Sequence, residues 1–217
     1  SRDMVATVGK DGVLRTLDKR THQPLYETPI TTILNADIPV TREGVVACPG
    51  VTGGVLWSSP AYHPGEKILL TSSIDYCSRF RAANNVRFIP GQLYMGGNAR
   101  HEGDMSGWIT AVEVESGEVR WKYQTEFPNV AAVTTTAGGL AISGTLAGDL
   151  LFFDVATGEV LNSIATGAQI GGGNISYAVD GKQHIAVGSG RGMLTIRPPQ
   201  LGLPRQTSII VYALPSN

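Results

Sequence analysis

Few residues of this 217-residue chain have types and spacings suited to chemistry. Cys48 and Cys77 are its only cysteines, 29 positions apart. They do not form a Cys-x-x-Cys zinc pair, which leaves two buried thiols or one disulfide. The four histidines, His22, His63, His101 and His184, are scattered through turns and loops without a metal-ligand spacing. Gly171-Gly-Gly173 is followed by no Lys-Ser/Thr pair and opens no helix, so it is not a phosphate loop. Ser58 and Ser143 lack a nucleophile-elbow context. Lys10 stands in the tight turn Gly9-Lys10-Asp11-Gly12, where a lysine is ordinarily just solvated. Trp57 reads on its own as a core or rim aromatic, and Asp75-Tyr76 as strand-end residues.

The elements that must position these residues are strands. Asp18-Lys-Arg-Thr21, Glu113-Val-Glu-Ser116-Gly117 and Asp154-Val-Ala-Thr157-Gly158 share one grammar: an apolar run, an acid, a hydroxyl three residues on, usually a glycine, then a second apolar run. In such a turn the acid and hydroxyl bind the backbone and the glycine supplies a positive φ. The acids at 113 and 154 lie 41 positions apart and those at 18 and 113 lie 95 apart. A repeat of about 40–45 residues with several strands per repeat predicts propeller blades. Strands are expected at Met4–Val8, Val13–Leu17, Ile68–Ser72, Trp108–Val114, Val119–Tyr123, Leu140–Ser143, Leu150–Asp154, Ile175–Val179, His184–Gly188 and Ser208–Leu214. The last of these is expected to pair across a closing seam of the ring. No helical period exceeds two turns. The reading is all-β: about four blades of four antiparallel strands in one unit spanning 1–217, with insertions near 30–59 and 79–107.

Composition agrees. The chain holds 27 Gly and 12 Pro, 16% charged and 42% hydrophobic residues. Its net charge of −1 gives no footprint for nucleic acid or an anionic membrane. No apolar run approaches the roughly 20 residues of a membrane span.

Cys48-Pro-Gly-Val-Thr-Gly-Gly-Val-Leu-Trp57-Ser-Ser-Pro-Ala-Tyr62-His-Pro64, followed by Ile74-Asp75-Tyr76-Cys77, resembles the second half of the pyrroloquinoline-quinone (PQQ)-dependent alcohol dehydrogenases, eight-bladed quinoprotein propellers. Gly9-Lys10-Asp11-Gly12, Val133-Thr-Thr-Thr-Ala-Gly-Gly139 and Ile170-Gly-Gly-Gly173 running on to Asp180–Val187 match the same family in family order. Gly148–Val160 fits its Trp-docking blade repeat. The resemblance implies the C-terminal half of an enzyme that oxidises an alcohol by hydride transfer to PQQ and passes electrons to a cytochrome or other acceptor. A non-catalytic propeller scaffold for protein binding is the alternative.

The resemblance implies that Lys10 lies against the dione oxygens of the quinone, donating to them as they gain negative charge. Trp57 is implied near the cofactor, although Leu56 stands where the family often has an amide-bearing Asn. Asp75 and Tyr76 are implied to serve the pocket. The matching contexts of Cys48 and Cys77 imply a disulfide, and with it an oxidising, periplasmic or extracellular address. The catalytic acid and the ligands of a Ca or lanthanide ion are implied to lie in earlier blades, so no catalytic residue and no metal ligand is assigned here. The N-terminal half of the propeller, or a second copy, would complete the ring.

Overall fold

The computed structural model describes residues 3–190 and 206–214, in which every regular element is a β-strand. Four antiparallel sheets follow one another along the chain. The first contains β1 (Met4–Val8), β2 (Val13–Asp18) and β3 (Pro24–Pro29). The second is built on two long strands, β6 (Ile68–Ala82) and β7 (Gly97–Glu113), with β8 (Val119–Thr125) on the outer side of β7. On its other edge β6 pairs with β5 (Ala61–His63) along its first half and with β4 (Val45–Ala47) along its second. The third is a complete four-stranded blade, β9 (Val133–Thr135), β10 (Leu140–Gly144), β11 (Asp149–Asp154) and β12 (Val160–Ala165). The fourth contains β13 (Asn174–Val179), β14 (Lys182–Ser189) and β15 (Ser208–Ala213). Among the described residues, no helix is long and apolar enough to cross a membrane.

The repeated turns form as their residues dictate. Asp154 accepts the backbone N–H groups of Ala156 and Thr157, both at 2.9 Å, and Asp18 does the same for Arg20 and Thr21. Gly158 takes a φ of +76°, and in the first repeat His22 occupies that left-handed position. The repeat also sets how blades dock. The Trp121 indole donates to the carbonyl of Val155 at 3.0 Å, and the Tyr26 hydroxyl donates to the carbonyl of Val114 at 3.0 Å. Acceptors and donors are thus offset by the same 41 and 95 positions as the acids. Each aromatic lies across the glycine of the next blade's turn, where a β-carbon would collide.

The core lies between sheets. Successive strand residues point to opposite faces, so Leu151 and Phe153 pack toward the second sheet with Ile68, Leu70, Ile109 and Trp121, while Leu150 and Phe152 pack toward the fourth with Ile170 and Val187. Leu14, Ile30, Val55, Leu69 and Val112 fill the space between the first two sheets.

β15 pairs with β14 inside the fourth sheet (Ser208↔Ser189 to Ala213↔His184), and among the described residues its other edge pairs with no strand. One feature departs from the sequence expectations. The stretch 79–107 lacks apolar alternation, yet β6 and β7 continue through it as paired strands to Ala82↔Gly97, making a long hairpin arm. Both faces of that arm meet solvent, so no alternation marks it.

Candidate functional site

The turn carrying Lys10 closes with the N–H of Gly12 donating to the carbonyl of Gly9 at 3.0 Å. The Cys48–Trp57 loop lies directly on it. The N–H of Gly54 donates to the Lys10 carbonyl at 2.8 Å, and that of Val55 to Gly9 at 3.2 Å. Only glycine allows this approach: a β-carbon on Gly53 would stand 2.6 Å from the Lys10 β-carbon, and one on Gly54 2.6 Å from the Gly12 α-carbon. The sequence Thr52-Gly-Gly-Val55 is therefore a backbone cradle for the lysine turn. The Lys10 side chain is exposed, and among the described residues no hydrogen bond or ion pair engages its ammonium.

The loop is fastened on its other side to β6. Cys48 and Cys77 form a disulfide with α-carbons 4.4 Å apart. The N–H of Gly50 donates to the Tyr76 carbonyl at 2.7 Å, and that of Ile74 to the Gly54 carbonyl at 2.7 Å. Tyr76 is 6% exposed, its ring laid over Gly50 and its hydroxyl bonded to the Thr52 hydroxyl and backbone N–H. Trp57, at the loop's far end, is 58% exposed.

Asp75 points into a different set of partners. The Trp108 indole donates to it at 2.6 Å, and the Thr32 backbone and hydroxyl donate at 3.1 and 3.2 Å. Burial works against its charge, but donors from Trp108 and the Thr31–Thr32 pair outweigh it and hold the carboxyl below its usual range. Lys122 places its ammonium 4.3 Å from the centre of the Trp108 ring and donates to the carbonyl of Ile30 at 3.2 Å. Desolvation lowers its pKa, and the Asp75 charge opposes that only in part.

The structure thus brings Lys10, Cys77 and Tyr76 against the one Cys48–Trp57 loop, leaves Trp57 open at its end, and sets Asp75 in a neighbouring polar cluster. Thr52, Trp108 and Lys122 were not foreseen. The signal for Trp108 is its place in β7: it pairs with Ser73, two residues from Asp75 on the same face. That requires the register of β6 on β7. Among the described residues, no three His, Cys, Asp or Glu side chains converge, so no metal ion is assigned to them.

The glycine backbone of the loop is buried, with the N–H groups of Gly50, Gly53 and Gly54 spent on the carbonyls of Tyr76, Gly50 and Lys10, so the polar and aromatic groups left open here are the Lys10 ammonium and the Trp57 ring.

No family model matches the chain. Its curated relatives include lanthanide-dependent methanol dehydrogenases and quinoprotein alcohol dehydrogenases. The lanthanide-dependent methanol dehydrogenase of Methylacidiphilum fumariolicum is 29% identical over 206 residues, covering 84% of this chain and 34% of the relative. Lupanine 17-hydroxylase [cytochrome c] of a Pseudomonas species is 29% identical over 154 residues, covering 69% of this chain and 22% of the relative. The chain therefore spans about a third or less of the curated relatives it matches. Among solved structures, the quinohemoprotein alcohol dehydrogenase of Comamonas testosteroni superposes with a TM-score of 0.88 at 18% identity, over 98% of this chain and 36% of that one. That match establishes the quinoprotein propeller fold.

Proposed function

We propose that this chain, whose relatives include quinoprotein alcohol dehydrogenases and which matches about a third of their length, belongs to the C-terminal half of such an enzyme and forms one wall of a PQQ site where an alcohol is oxidised. The observation that carries the reading is the Lys10 turn seated on Gly53-Gly54. It is an unengaged ammonium whose base is held by backbone contacts on both sides.

PQQ, when bound, would supply the acceptor for a hydride from the alcohol. Lys10 would donate hydrogen bonds to the dione oxygens, stabilising negative charge that develops there. A donor aimed at developing charge lowers the barrier because its orientation is set beforehand. Trp57 would offer its exposed ring as an apolar contact for the flat cofactor. Tyr76 and Asp75 would serve the pocket by holding the Cys48–Trp57 loop and the adjoining strand end in place. Alcohol binding and the general base are assigned to blades outside this chain, as are the ligands of a Ca or lanthanide ion. The missing blades would come from an N-terminal half or a second copy. The disulfide supports a periplasmic or otherwise oxidising address.

The test is alcohol-dependent dye reduction by the complete propeller after loading with PQQ and Ca or a lanthanide, together with quinone absorbance retained through gel filtration. Retained quinone and alcohol-dependent turnover support the reading. A propeller that retains no quinone under either metal overturns it in favour of a protein-binding scaffold.

A further inference from the structure

Residues 30–32 join the lysine turn to the second sheet. The N–H of Ile30 donates to the Gly12 carbonyl at 2.9 Å. The Thr31 γ-methyl fills the space left by two glycines: a β-carbon on Gly12 would collide with it, and one on Gly54 would stand 2.8 Å away. Thr31 is buried, and it touches both the turn and the loop that cradles it. The second sheet grips the same three residues. The Thr31 hydroxyl donates to the Ile74 carbonyl at 2.9 Å, and Ser73 and Lys122 donate to the Ile30 carbonyl at 3.4 and 3.2 Å. Thr32 donates twice to Asp75. The Trp108 indole serves both charges, its N–H on Asp75 and its face toward Lys122. Both sides of this junction belong to the chain itself.

The blade repeat supplies a comparison. The turn at 145–148 closes as the lysine turn does, with the N–H of Gly148 donating to the Thr145 carbonyl at 3.1 Å. It receives the N–H groups of Thr166 and Ile170 as the lysine turn receives those of Ile30 and Val55. There, neutral hydroxyls fasten the connection: the Thr166 hydroxyl lies 2.9 Å from the Gly148 and Ala168 carbonyls and from the Ser189 hydroxyl. At the junction that carries Lys10 the chain uses an anion, a cation and an indole. A half-buried charge pair adds little net stability, because desolvation cancels much of its attraction. What it adds is geometry: charge-assisted hydrogen bonds are short and strong, and these tie residues 30–32 to one place on the second sheet.

We propose that Asp75, Trp108 and Lys122 form a positioning set for Lys10. Acting through residues 30–32, they fix where the lysine turn stands against the Cys48–Trp57 loop, and with it the approach of the ammonium to the dione oxygens of the quinone. The proposal rests on the quinone reading of that turn. The set works through Thr31 and not by contact with the quinone. A misplacement of about 1 Å at a reacting group can cost about 10²-fold in rate, so a lysine on a hairpin turn gains from a base held on more than one side. The contacts of Gly53 and Gly54 hold it from the loop, and the charged junction holds it from the second sheet.

The experiment uses the complete propeller, first without cofactor and then loaded with PQQ and Ca. Amide hydrogen exchange reads the junction directly. In Lys122→Met, and in Trp108→Phe as a second variant, the amides of Gly12, Ile30 and Gly54 should exchange roughly tenfold or more faster relative to those of Leu151 and Phe153 in the third sheet. Equilibrium dialysis then measures PQQ affinity, and dye-coupled assays measure kcat and the KM for alcohol. Lys122→Met should lower PQQ affinity and kcat by roughly three- to tenfold each, with the alcohol KM unchanged. Lys122→Arg should restore most of both, because a guanidinium still donates and still lies over an indole. In a Lys10→Ala background the same Lys122→Met change should alter PQQ affinity and kcat less than about twofold, since the group it positions is gone. Unchanged exchange at the three amides, an equal rise in every sheet, or full additivity with Lys10→Ala would each overturn the proposal. A parent that binds no PQQ would instead count against the quinone reading, while amide exchange still decides whether the set holds the turn.

Discussion

The carbonyl of Lys10 accepts the backbone N–H of Gly54 at 2.8 Å, joining a hairpin turn of the first sheet to a loop that a disulfide ties to the second. The lysine is thus anchored by its main chain while its side chain stays free. Main-chain anchoring makes the site depend on glycines that carry no chemistry themselves.

Gly53→Ala tests that dependence. Gly53 has φ +88°, and an added β-carbon would lie 2.6 Å from that of Lys10. The strained backbone alone costs about 1–3 kcal/mol, and the collision should displace the lysine turn. The expected outcome is a lowered unfolding midpoint together with weakened quinone retention in the complete propeller. Unchanged retention would mean that the cradle does not shape the site.

Lys10→Ala should leave the fold intact, since the side chain is exposed and unengaged. Loss of one donor at a developing oxyanion typically lowers the rate by about 10²–10³-fold. Lys10→Arg should be milder, because a guanidinium still donates, though through a planar fork. Dye-coupled kcat for alcohol, measured with quinone bound, reads the difference.

Thiol titration of the denatured, unreduced protein should find no free thiol, because Cys48 and Cys77 are bonded to each other. In the chain-entropy model, closing a loop of this size stabilises by roughly 3–4 kcal/mol. Reduction, or Cys77→Ser, should therefore lower the denaturant midpoint and loosen the Lys10 cradle with it.

Asp75 links acidity to stability. Its folded pKa lies below the ordinary 3.8. Its charge therefore adds stability that is present above that value and is lost as pH falls through the lower folded one. Asp75→Asn should be less stable than the parent at neutral pH, and the gap should narrow below about pH 4. Urea unfolding at pH 7 and at pH 3 checks the sign; a gap that widens in acid would show that Trp108 and Thr32 do not favour the carboxylate.

The chain alone should not behave as a stable monomer. Among the described residues its first and fourth sheets have three strands each, and the outer edge of β15 carries exposed Ile209 and Val211. Open, apolar strand edges pair with other chains. Light scattering should find it bound to the remaining blades, dimeric or aggregated, and a monodisperse monomer would contradict the half-ring reading.

The blade repeat was legible in the sequence because its causes are local. An acid, a hydroxyl and a glycine suffice to close a turn, and a continuous apolar run marks a strand buried between sheets on both faces, as at Leu150 to Phe153. The spacing of 41 and 95 positions then required equivalent units to dock in equivalent ways, as Tyr26 and Trp121 do. β12 escaped notice because it is an outer strand with mostly exposed residues, so no periodicity marks it. The extension of β6 and β7 past the disulfide was hidden for the same reason. What only the tertiary structure decided is which distant backbone segments touch: Gly53 on Lys10, Trp108 on Asp75, Val51 on Ser78. Those contacts depend on strand register and on close main-chain approach across tens of residues, and neither leaves a periodic trace in the residues that make them.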